Sequence, residues 1–445
     1  MLSSGVIHVL HTVIESSMRF ITYIIAVVTL AVVSSHVAEA QPVDGADYHR
    51  TELIPYATAT DAAARGMLRQ KYMQPIEEWT DVDGVLRGEF TYPFSWVERQ
   101  VFIRVEGVGR PFEVYVNGRR AGASRNGFAA VEFNISKLSR EDKNSVELRV
   151  ADGGDVAAIE CFEHGAMDPI AYIISQPRVR VRDVAWRANV GVGGVVNADF
   201  SVVMHNQTLG EKTSRIYYEL FLNDTVRLTA GHRDVVLGMY GVDTMRFGAP
   251  VPDSVLWSAA SPSRLSLRLK NRIAGRDVEF YDLPVALREL KYDGEYRVNG
   301  AVESVTWYDM SPWASMEDID AVYGGGVRAV RFGAGWVSDA ILDYCDAKGI
   351  YVGLTAPINS SKSGKSRKRG GNPSNNPQWR DEYVSRVEQM IHTTKRHASV
   401  IAYFIAEDSA NGICLYESYL AAKAISDIPV FYAYGEGEWN SDDRR

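Results

Sequence analysis

The stretch that decides the fold of the C-terminal part lies at residues 327–355 and reads VRAVRFGAGWVSDAILDYCDAKGIYVGLT. Its first six residues form a short apolar run of the kind found in buried strands. Ser338–Lys348 follow with a helical pattern that Gly349 ends, and a second strand-like run covers Ile350–Thr355. A strand, a helix and a strand in this order predict a β-α-β unit with parallel strands.

The same alternation continues on both sides of this unit after residue 291. Further strands are predicted near residues 303–308, 400–405 and 429–434, and further helices over Ser315–Tyr323, Gln378–Arg396 and Leu415–Ile425. Repeated β-α units predict a parallel sheet, either a barrel or a doubly wound sheet. Site residues are then expected at the carboxyl ends of the strands.

Upstream, from about residue 50 to 290, the apolar residues recur with a period of two. Val101–Val105 and Phe112–Val116 are examples of such runs, with polar residues interleaved. Asn117-Gly118 follows the second run and predicts a type I′ hairpin turn, since both central positions of that turn need positive φ. This part of the chain is therefore predicted to form antiparallel β-sandwiches.

The composition of the 445 residues is that of a globular protein, with 46% apolar and 23% charged residues. The formal net charge of −8 gives no general attraction to nucleic acid or to an anionic membrane surface. Cys161, Cys345 and Cys414 are too far apart in sequence for metal-ligand spacing or a disulfide scaffold. We expect no cofactor and no metal.

The N-terminus resembles a signal peptide. Arg19 precedes an apolar run of 14 residues, Phe20–Val33, and an A-x-A site at residues 38–40 predicts cleavage before Gln41. This run is too short to span a bilayer as a helix, so we expect an exported protein, periplasmic or secreted, without stable membrane insertion. A buried N-terminal helix is the alternative.

Several motifs resemble glycoside hydrolase family 2, the group of β-galactosidases, β-glucuronidases and β-mannosidases. Phe102 to Arg119 (FIRVEGVGRPFEVYVNGR) is similar to the sugar-binding domain of that family, and Val255–Leu269 to its immunoglobulin-like domain. Ala329–Val352 and Arg396–Ile401 resemble barrel strands two to four. After the predicted signal peptide (1–40), the resemblance implies a jelly-roll-like β-sandwich (41–177), an immunoglobulin-like β-sandwich (178–290) and a partial (β/α) TIM-type barrel (291–445).

The resemblance also implies where the acid/base residue lies. A retaining glycosidase uses two carboxyl groups about 5–5.5 Å apart. In the family the acid/base is the Glu of an Asn-Glu pair that ends strand four, and here Asp408 takes that position after Glu407. The Asp side chain is shorter by about 1.5 Å, which is expected to impair proton transfer. Alternatively, Glu407 turns into the site and serves as the acid.

The family nucleophile belongs at the end of strand seven, and we expect that strand to be absent. Residues 303–445 fall well short of the roughly 250 residues of a complete barrel. Glu436 and Glu438 are the late carboxylates that follow a predicted strand, and they either take part in the site or belong to a polar loop.

Other side chains near the predicted strand ends are candidates for binding substrate. Arg331 either holds a carboxylate at the mouth of the barrel or forms a structural salt bridge. Asp309 directly follows the strand predicted near residues 303–308. Trp313 and Trp336 begin loops and suit sugar stacking, although core packing is the commoner use of such residues.

The basic run Lys362–Arg369 follows strand three and is therefore expected on the face of the barrel that carries the candidate site residues. It would attract a sulfated or uronic polysaccharide, whereas runs of like charge favour a solvated, mobile loop.

Three functions stay open from the sequence. The first is an exported glycosidase that hydrolyses O-glycosyl bonds of β-linked sugars, with Asp408 or Glu407 as acid/base. The second is a catalytically impaired carbohydrate-binding or assembly protein. The third is a truncated glycosidase that needs a protein partner to complete its barrel. Carbohydrate is the expected ligand in each case, and whether the chain is an enzyme is left open.

Overall fold

The structure is a computed structural model that describes residues 43–44, 46–47, 52–64, 71–165, 168–191, 195–434 and 440–443. The predicted signal peptide, Glu436 and Glu438 lie outside these residues. In the part that is described, no helix has the length and apolarity needed to cross a membrane.

The strands of the first sandwich are β1 (Val43–Asp44), β2 (Ala46–Asp47), β3 (Met73–Pro75), β4 (Thr80–Val82), β5 (Val85–Tyr92), β6 (Gln100–Glu106), β7 (Phe112–Val116), β8 (Arg119–Ser124), β9 (Val131–Asn134), β10 (Asp142–Val150) and β11 (Ile170–Gln176). Those of the second sandwich are β12 (Val179–Val190), β13 (Val196–Asn206), β14 (Lys212–Leu222), β15 (Val226–Leu237), β16 (Val242–Val251), β17 (Leu265–Ile273) and β18 (Arg276–Val285).

The C-terminal strands are β19 (Leu290–Tyr292), β20 (Tyr296–Val298), β21 (Ala301–Glu303), β22 (Tyr308–Met310), β23 (Ala329–Phe332), β24 (Tyr351–Thr355), β25 (Val400–Phe404) and β26 (Val430–Phe431). The helices are α1 (Ala59–Ala64), α2 (Met316–Gly324), α3 (Asp339–Lys348), α4 (Arg380–Thr394) and α5 (Ile413–Ile425), with short 3₁₀ turns at 94–96, 154–158, 253–255, 361–363, 373–375 and 377–379.

The first sandwich packs a six-stranded sheet (β1-β8-β7-β10-β5-β4) on a five-stranded sheet (β2-β9-β6-β11-β3). The inward-facing side chains, such as Ile103 and Val114, are fully buried, which is why the sequence alternates. The predicted hairpin turn is confirmed: Asn117 and Gly118 have φ of 51° and 74°. Val116 pairs with Arg119 across this two-residue turn.

The second sandwich packs a three-stranded sheet (β12-β13-β16) on a four-stranded sheet (β15-β14-β17-β18). Its core contains stacked aromatic rings, with Phe200 and Tyr218 on Phe247 at centroid distances of 4.9 and 3.8 Å. Both sandwiches therefore form as their period-two patterns predict.

The C-terminal part is a parallel sheet in the order β22-β23-β24-β25-β26, with α2 to α5 between the strands. The predicted strand at 303–308 is wrong in detail, because residues 301–303 pair with β20 in a separate antiparallel sheet. Asn299 and Gly300 both have positive φ and form the two-residue turn that joins β20 to β21. The first parallel strand begins only at Tyr308.

Local signals fix the helices of this part. The Ser315 hydroxyl and the Asp318 carboxylate form a capping box at the start of α2. Gly349 ends α3 at φ 71°, as predicted, and a Cβ atom there would lie 2.1 Å from the carbonyl oxygen of Ala259 in the second sandwich. The predicted helix Gln378–Arg396 is shorter, since Pro377–Trp379 form a 3₁₀ turn before α4.

Strands β23 to β26 are mostly buried on both faces of the parallel sheet, whereas β22 at its edge is largely exposed. One face packs on the helices through residues such as Phe332, Leu354 and Tyr403. The other face packs on β20 and on the second sandwich through one apolar cluster, which contains Phe404, Phe431, Trp257, Tyr296, Val298, Ala329, Tyr351, Ile401 and Ala402.

Asp442 covers the outer edge of β26. Its backbone N–H donates to the Val430 carbonyl and its carboxylate accepts from the Val430 N–H, both at 2.8 Å. The Tyr419 hydroxyl donates to the same carboxylate at 2.8 Å. The backbone groups that a further strand would use at this edge are therefore satisfied here, and a protein partner that completes the barrel stays a prediction.

A buried ion-pair cluster joins the first sandwich to the parallel sheet. Arg386 of α4 donates to Glu160 of the sandwich at 2.6 Å and to Glu382 at 2.8 Å. It also donates to the Pro357 carbonyl after β24 at 2.8 Å and to the Arg125 carbonyl at 3.3 Å. All three guanidinium nitrogens thus form hydrogen bonds, and two carboxylates compensate a charge with no solvent exposure.

A second cluster lies where α3 meets the segment before β25. His397 Nδ1 contacts the Asp346 carboxylate at 3.0 Å, and Asp339 lies 3.7 Å from Nε2. Burial alone would lower the pKa of His397, but the hydrogen bonds to Asp339 and Asp346 outweigh it and raise the pKa to about 10.

His397 together with Asp343 and Asp346 has the composition of a cation site, a cluster that the sequence analysis missed. Arg264 and the imidazolium already neutralise these carboxylates, with Arg264 donating to Asp343 at 2.8 Å. We therefore interpret the cluster as structural.

This pKa shift predicts a pH-dependent stability. The folded pKa lies above the unfolded value of about 6.5, so the stabilisation is complete below about pH 6.5 and is lost as the pH rises through about 10. We expect His397→Gln to lower the free energy of unfolding by on the order of a few kcal/mol at pH 6 and by little at pH 10. Urea unfolding at pH 6, 8 and 10 measures this, with exposed His232→Gln as the control. A His397→Gln deficit that does not shrink with pH would contradict it.

Candidate active site

The segment after β25 carries both predicted catalytic carboxylates. Ile405 N–H donates to the Phe431 carbonyl at 2.9 Å, and Glu407 N–H donates to the Ile358 carbonyl at 2.8 Å. The backbone is thus held between β26 and the segment after β24 until Glu407, at the carboxyl edge of the sheet. Glu407 and Asp408 lie in a bend at this point.

Glu407 lies beside Tyr434 and the loop after β23. The Tyr434 hydroxyl donates to Glu407 Oε2 at 3.4 Å. A Cβ atom at Gly333 would lie 3.4 Å from Glu407 Oε1, so the carboxylate passes close to this glycine. Burial and the negative charge of Glu407 raise the pKa of Tyr434, which keeps the phenol protonated as a donor.

Arg331 connects this carboxylate to the first parallel strand. Its Nε donates to Asp309 Oδ1 at 2.7 Å, and its guanidinium lies 5.2 Å from the centroid of the Phe404 ring. Burial would lower the pKa of Arg331, but the hydrogen bond to Asp309 and the charges of Asp309 and Glu407 outweigh it. The structure therefore brings together three predicted site residues, Arg331, Asp309 and Glu407.

Asp408 has a partner of its own. Its carboxylate forms an ion pair with Lys365 of the basic run, and its side chain is 34% exposed. The next residue, Ser409, is fixed by Tyr432, whose hydroxyl accepts from the Ser409 N–H at 3.1 Å. The adjacent carboxylates thus have different partners, the Tyr434 phenol for Glu407 and the Lys365 ammonium for Asp408.

The two predicted tryptophans lie where the first sandwich meets the parallel sheet. Trp313 Nε1 donates to the Glu163 carbonyl at 3.2 Å, and its ring centroid is 6.3 Å from that of Phe128. A Cβ atom at Gly107 would lie 3.4 Å from the Trp336 ring. Both rings contact the sandwich, and their predicted role in binding sugar stays a prediction.

An aromatic floor lies beneath Arg331. The rings of Trp307 and Phe404 meet edge to face at 6.0 Å, and both lie over Gly353 of β24. A Cβ atom at Gly353 would be 2.8 Å from the Phe404 ring and 3.2 Å from the Trp307 ring. The sequence predicted no role for Gly353 or Tyr434, although both residues lie within strands that it predicted.

The arrangement suits proton transfer to a bound ligand. A carboxyl group can donate its proton to a leaving oxygen within hydrogen-bond reach, and Arg331 and Tyr434 can orient it. Hydrolysis with retention needs a second carboxyl group at about 5–5.5 Å. Within the described residues Asp309 is the carboxylate paired with Arg331, whereas Glu436 and Glu438 lie outside them.

Two antiparallel sandwiches followed by a parallel β/α sheet with carboxylates at its carboxyl edge define a multidomain architecture. Residues 74–165 match the model of the glycosyl hydrolases family 2 sugar binding domain, and residues 312–435 match that of the family 2 TIM barrel domain. These two segments are therefore those of glycoside hydrolase family 2, as the motifs of the sequence predict.

Curated relatives agree with this assignment. The chain is 24% identical to a β-galactosidase of Priestia megaterium over 349 residues, which cover 73% of this chain and 33% of that protein. It is 23% identical to a β-galactosidase large subunit of Latilactobacillus sakei over 402 residues, covering 84% of this chain and 60% of that one. The chain thus spans about a third of the length of the first of these relatives.

Solved structures share the fold. A putative β-galactosidase from Bacteroides fragilis aligns over 81% of this chain and 57% of its own, with a TM-score of 0.66 and 16% identity. A β-glucuronidase from Bacteroides uniformis aligns over 87% of this chain and 52% of its own, with a TM-score of 0.66 and 15% identity.

The aromatic floor generates a prediction about stability. Gly353→Ala places a methyl group against the Phe404 and Trp307 rings, so we expect a loss of about 1–3 kcal/mol in the free energy of unfolding. Gly210→Ala is the matched control, because no atom lies within 4 Å of its added Cβ. Urea unfolding of both variants tests this. Equal free energies for both would show that the rings do not pack on β24 as described.

Proposed function

We propose that this protein hydrolyses O-glycosyl bonds of β-linked sugars and that Glu407 donates the proton to the leaving oxygen. The observation that carries the proposal is the contact of Glu407 with Tyr434 and its place beside Arg331 at the end of β25. The match of these two segments to family 2 supports carbohydrate as the ligand.

The ion pair of Asp408 favours Glu407 over Asp408 as the proton donor. The Asp408 carboxylate already binds the Lys365 ammonium, whereas Glu407 accepts only the long Tyr434 contact among the hydrogen bonds of its side chain in the described residues. Glu407 also has the longer side chain, which extends its reach toward a glycosidic oxygen. In this proposal Arg331 holds Asp309 and adds positive charge near Glu407, and Trp313 and Trp336 contribute apolar surface for the sugar.

A second candidate function is carbohydrate binding without turnover. The same ion pair favours it, since the residue at the family's acid/base position is engaged by Lys365. This alternative keeps the sugar ligand and assigns Glu407 to hydrogen bonding rather than to proton transfer.

Kinetics on nitrophenyl β-galactoside, β-glucuronide and β-mannoside separate these functions. We expect wild-type turnover on at least one, a loss of about 10²–10⁴ in kcat/KM for Glu407→Gln, and a loss of less than about tenfold for Asp408→Asn. Exposed Asp152→Asn is the control for an unrelated charge change.

Two outcomes would contradict the assignment. A larger loss in Asp408→Asn than in Glu407→Gln would return the acid role to Asp408. Equal background rates in all four proteins, combined with binding of a β-linked polysaccharide in affinity electrophoresis, would establish the second candidate function.

We also propose that the protein is exported, with cleavage after residue 40. The apolar run Phe20–Val33 behind Arg19 supports this proposal. Expressed in a Gram-negative host, the protein is expected in the periplasmic fraction with Gln41 as its first residue by N-terminal sequencing. An Ala38→Leu/Ala40→Leu variant should block cleavage, because the site needs small residues at both positions. An uncleaved wild-type chain in the cytoplasmic fraction would exclude export by this signal.

A further inference from the structure

The basic run Lys362–Arg369 lies in a loop whose two ends are joined by hydrogen bonds. The buried Asn372 side chain holds the base of the loop: its Nδ2 donates to the carbonyls of Ser360 and Gly364 at 2.9 and 2.7 Å. Its Oδ1 accepts from the Ser360 hydroxyl at 2.8 Å. We call residues 361–371 the basic loop.

The basic loop is attached to the candidate active site. Lys365 pairs with Asp408, next to Glu407, and the Ser363 hydroxyl donates to the Ala158 carbonyl of the first sandwich at 3.4 Å. The loop therefore stands at the carboxyl edge of the parallel sheet, between β24 and the end of β25.

The positive charge of the loop is largely uncompensated. Lys362, Lys368 and Arg369 are exposed and form no ion pair with any residue that the structure describes. Residues 351–380 contain no Asp or Glu, although the whole chain carries a net charge of −8. Like charges held this close repel one another, and an anionic ligand would relieve that repulsion.

We propose that the basic loop binds the sulfate or carboxylate groups of an anionic polysaccharide whose sugar chain enters the candidate active site. This inference rests on the proposed function for the identity of the ligand. Arg369 offers a planar fork that matches either oxyanion, and Lys362 and Lys368 add point charges.

The composition of the loop favours a saccharide over nucleic acid. The loop sequence KSGKSRKR contains no aromatic residue on which a base could stack.

The test uses heparin, polygalacturonate and dextran as sulfated, carboxylated and neutral probes. We expect the full-length protein to bind heparin or polygalacturonate but not dextran in affinity electrophoresis. Tighter binding of heparin would identify sulfate as the preferred group, and tighter binding of polygalacturonate would identify carboxylate. The triple variant Lys362→Gln/Lys368→Gln/Arg369→Gln should weaken that binding about tenfold or more.

The matched control is Lys137→Gln/Arg140→Gln/Lys143→Gln, which removes the same three charges from an exposed part of the first sandwich. Equal weakening in both triple variants would reduce the effect to net charge and overturn the proposal. Equal or tighter binding of duplex DNA at 150 mM salt would overturn the assignment to a saccharide.

Hydrolysis of neutral nitrophenyl glycosides separates this inference from the proposed function. The loop variant should keep wild-type turnover on these small substrates, since its three residues do not contact Glu407, Arg331 or Tyr434. Loop-dependent heparin binding without any wild-type turnover would refute the proposed hydrolysis alone. Turnover without loop-dependent binding of either anionic polymer would refute this inference alone.

Discussion

The backbone pairing on both sides of the segment after β25 is the constraint on which the candidate site depends. Hydrogen bonds from Ile405 to β26 and from Glu407 to Ile358, which follows β24, hold this segment up to its two carboxylates. Glu407 and Asp408 lie in the bend where the chain leaves the sheet. Their side chains have different partners: Glu407 accepts from Tyr434, and Asp408 pairs with Lys365 of the basic loop.

The first sandwich supports this edge of the sheet from one side. Arg386, fixed by Glu160 of the sandwich, binds the Pro357 carbonyl, and the next residue, Ile358, accepts the Glu407 N–H. Trp313 and Trp336 fill the same contact region. The sandwich thus also positions the backbone that carries the proposed acid, so that the proposed sugar contacts and the proton donor would share one scaffold.

The sequence predicted the domain order and most elements because their signals are local. The period-two runs, the Asn117-Gly118 turn and the β-α alternation after residue 291 each require only neighbouring residues to be read. The strand at 303–308 was wrong because the Asn299-Gly300 turn was overlooked, and that turn takes residues 301–303 into a separate sheet.

The candidate site was harder to predict because its contacts join distant parts of the chain. The sequence identified Arg331, Asp309 and Glu407, and it favoured Asp408 as the acid from its position in the motif. The ion pair with Lys365 and the contact of Tyr434 with Glu407 depend on how separate loops meet in space. Spacing along the chain carries no information about such contacts.

A crystal structure of the protein with a bound β-linked disaccharide would test the central claim most directly. The account predicts that a Glu407 carboxylate oxygen lies within about 3.2 Å of the glycosidic oxygen, with Arg331 beside it and Asp408 still on Lys365. A glycosidic oxygen held by Asp408, with Glu407 turned out of reach, would contradict it.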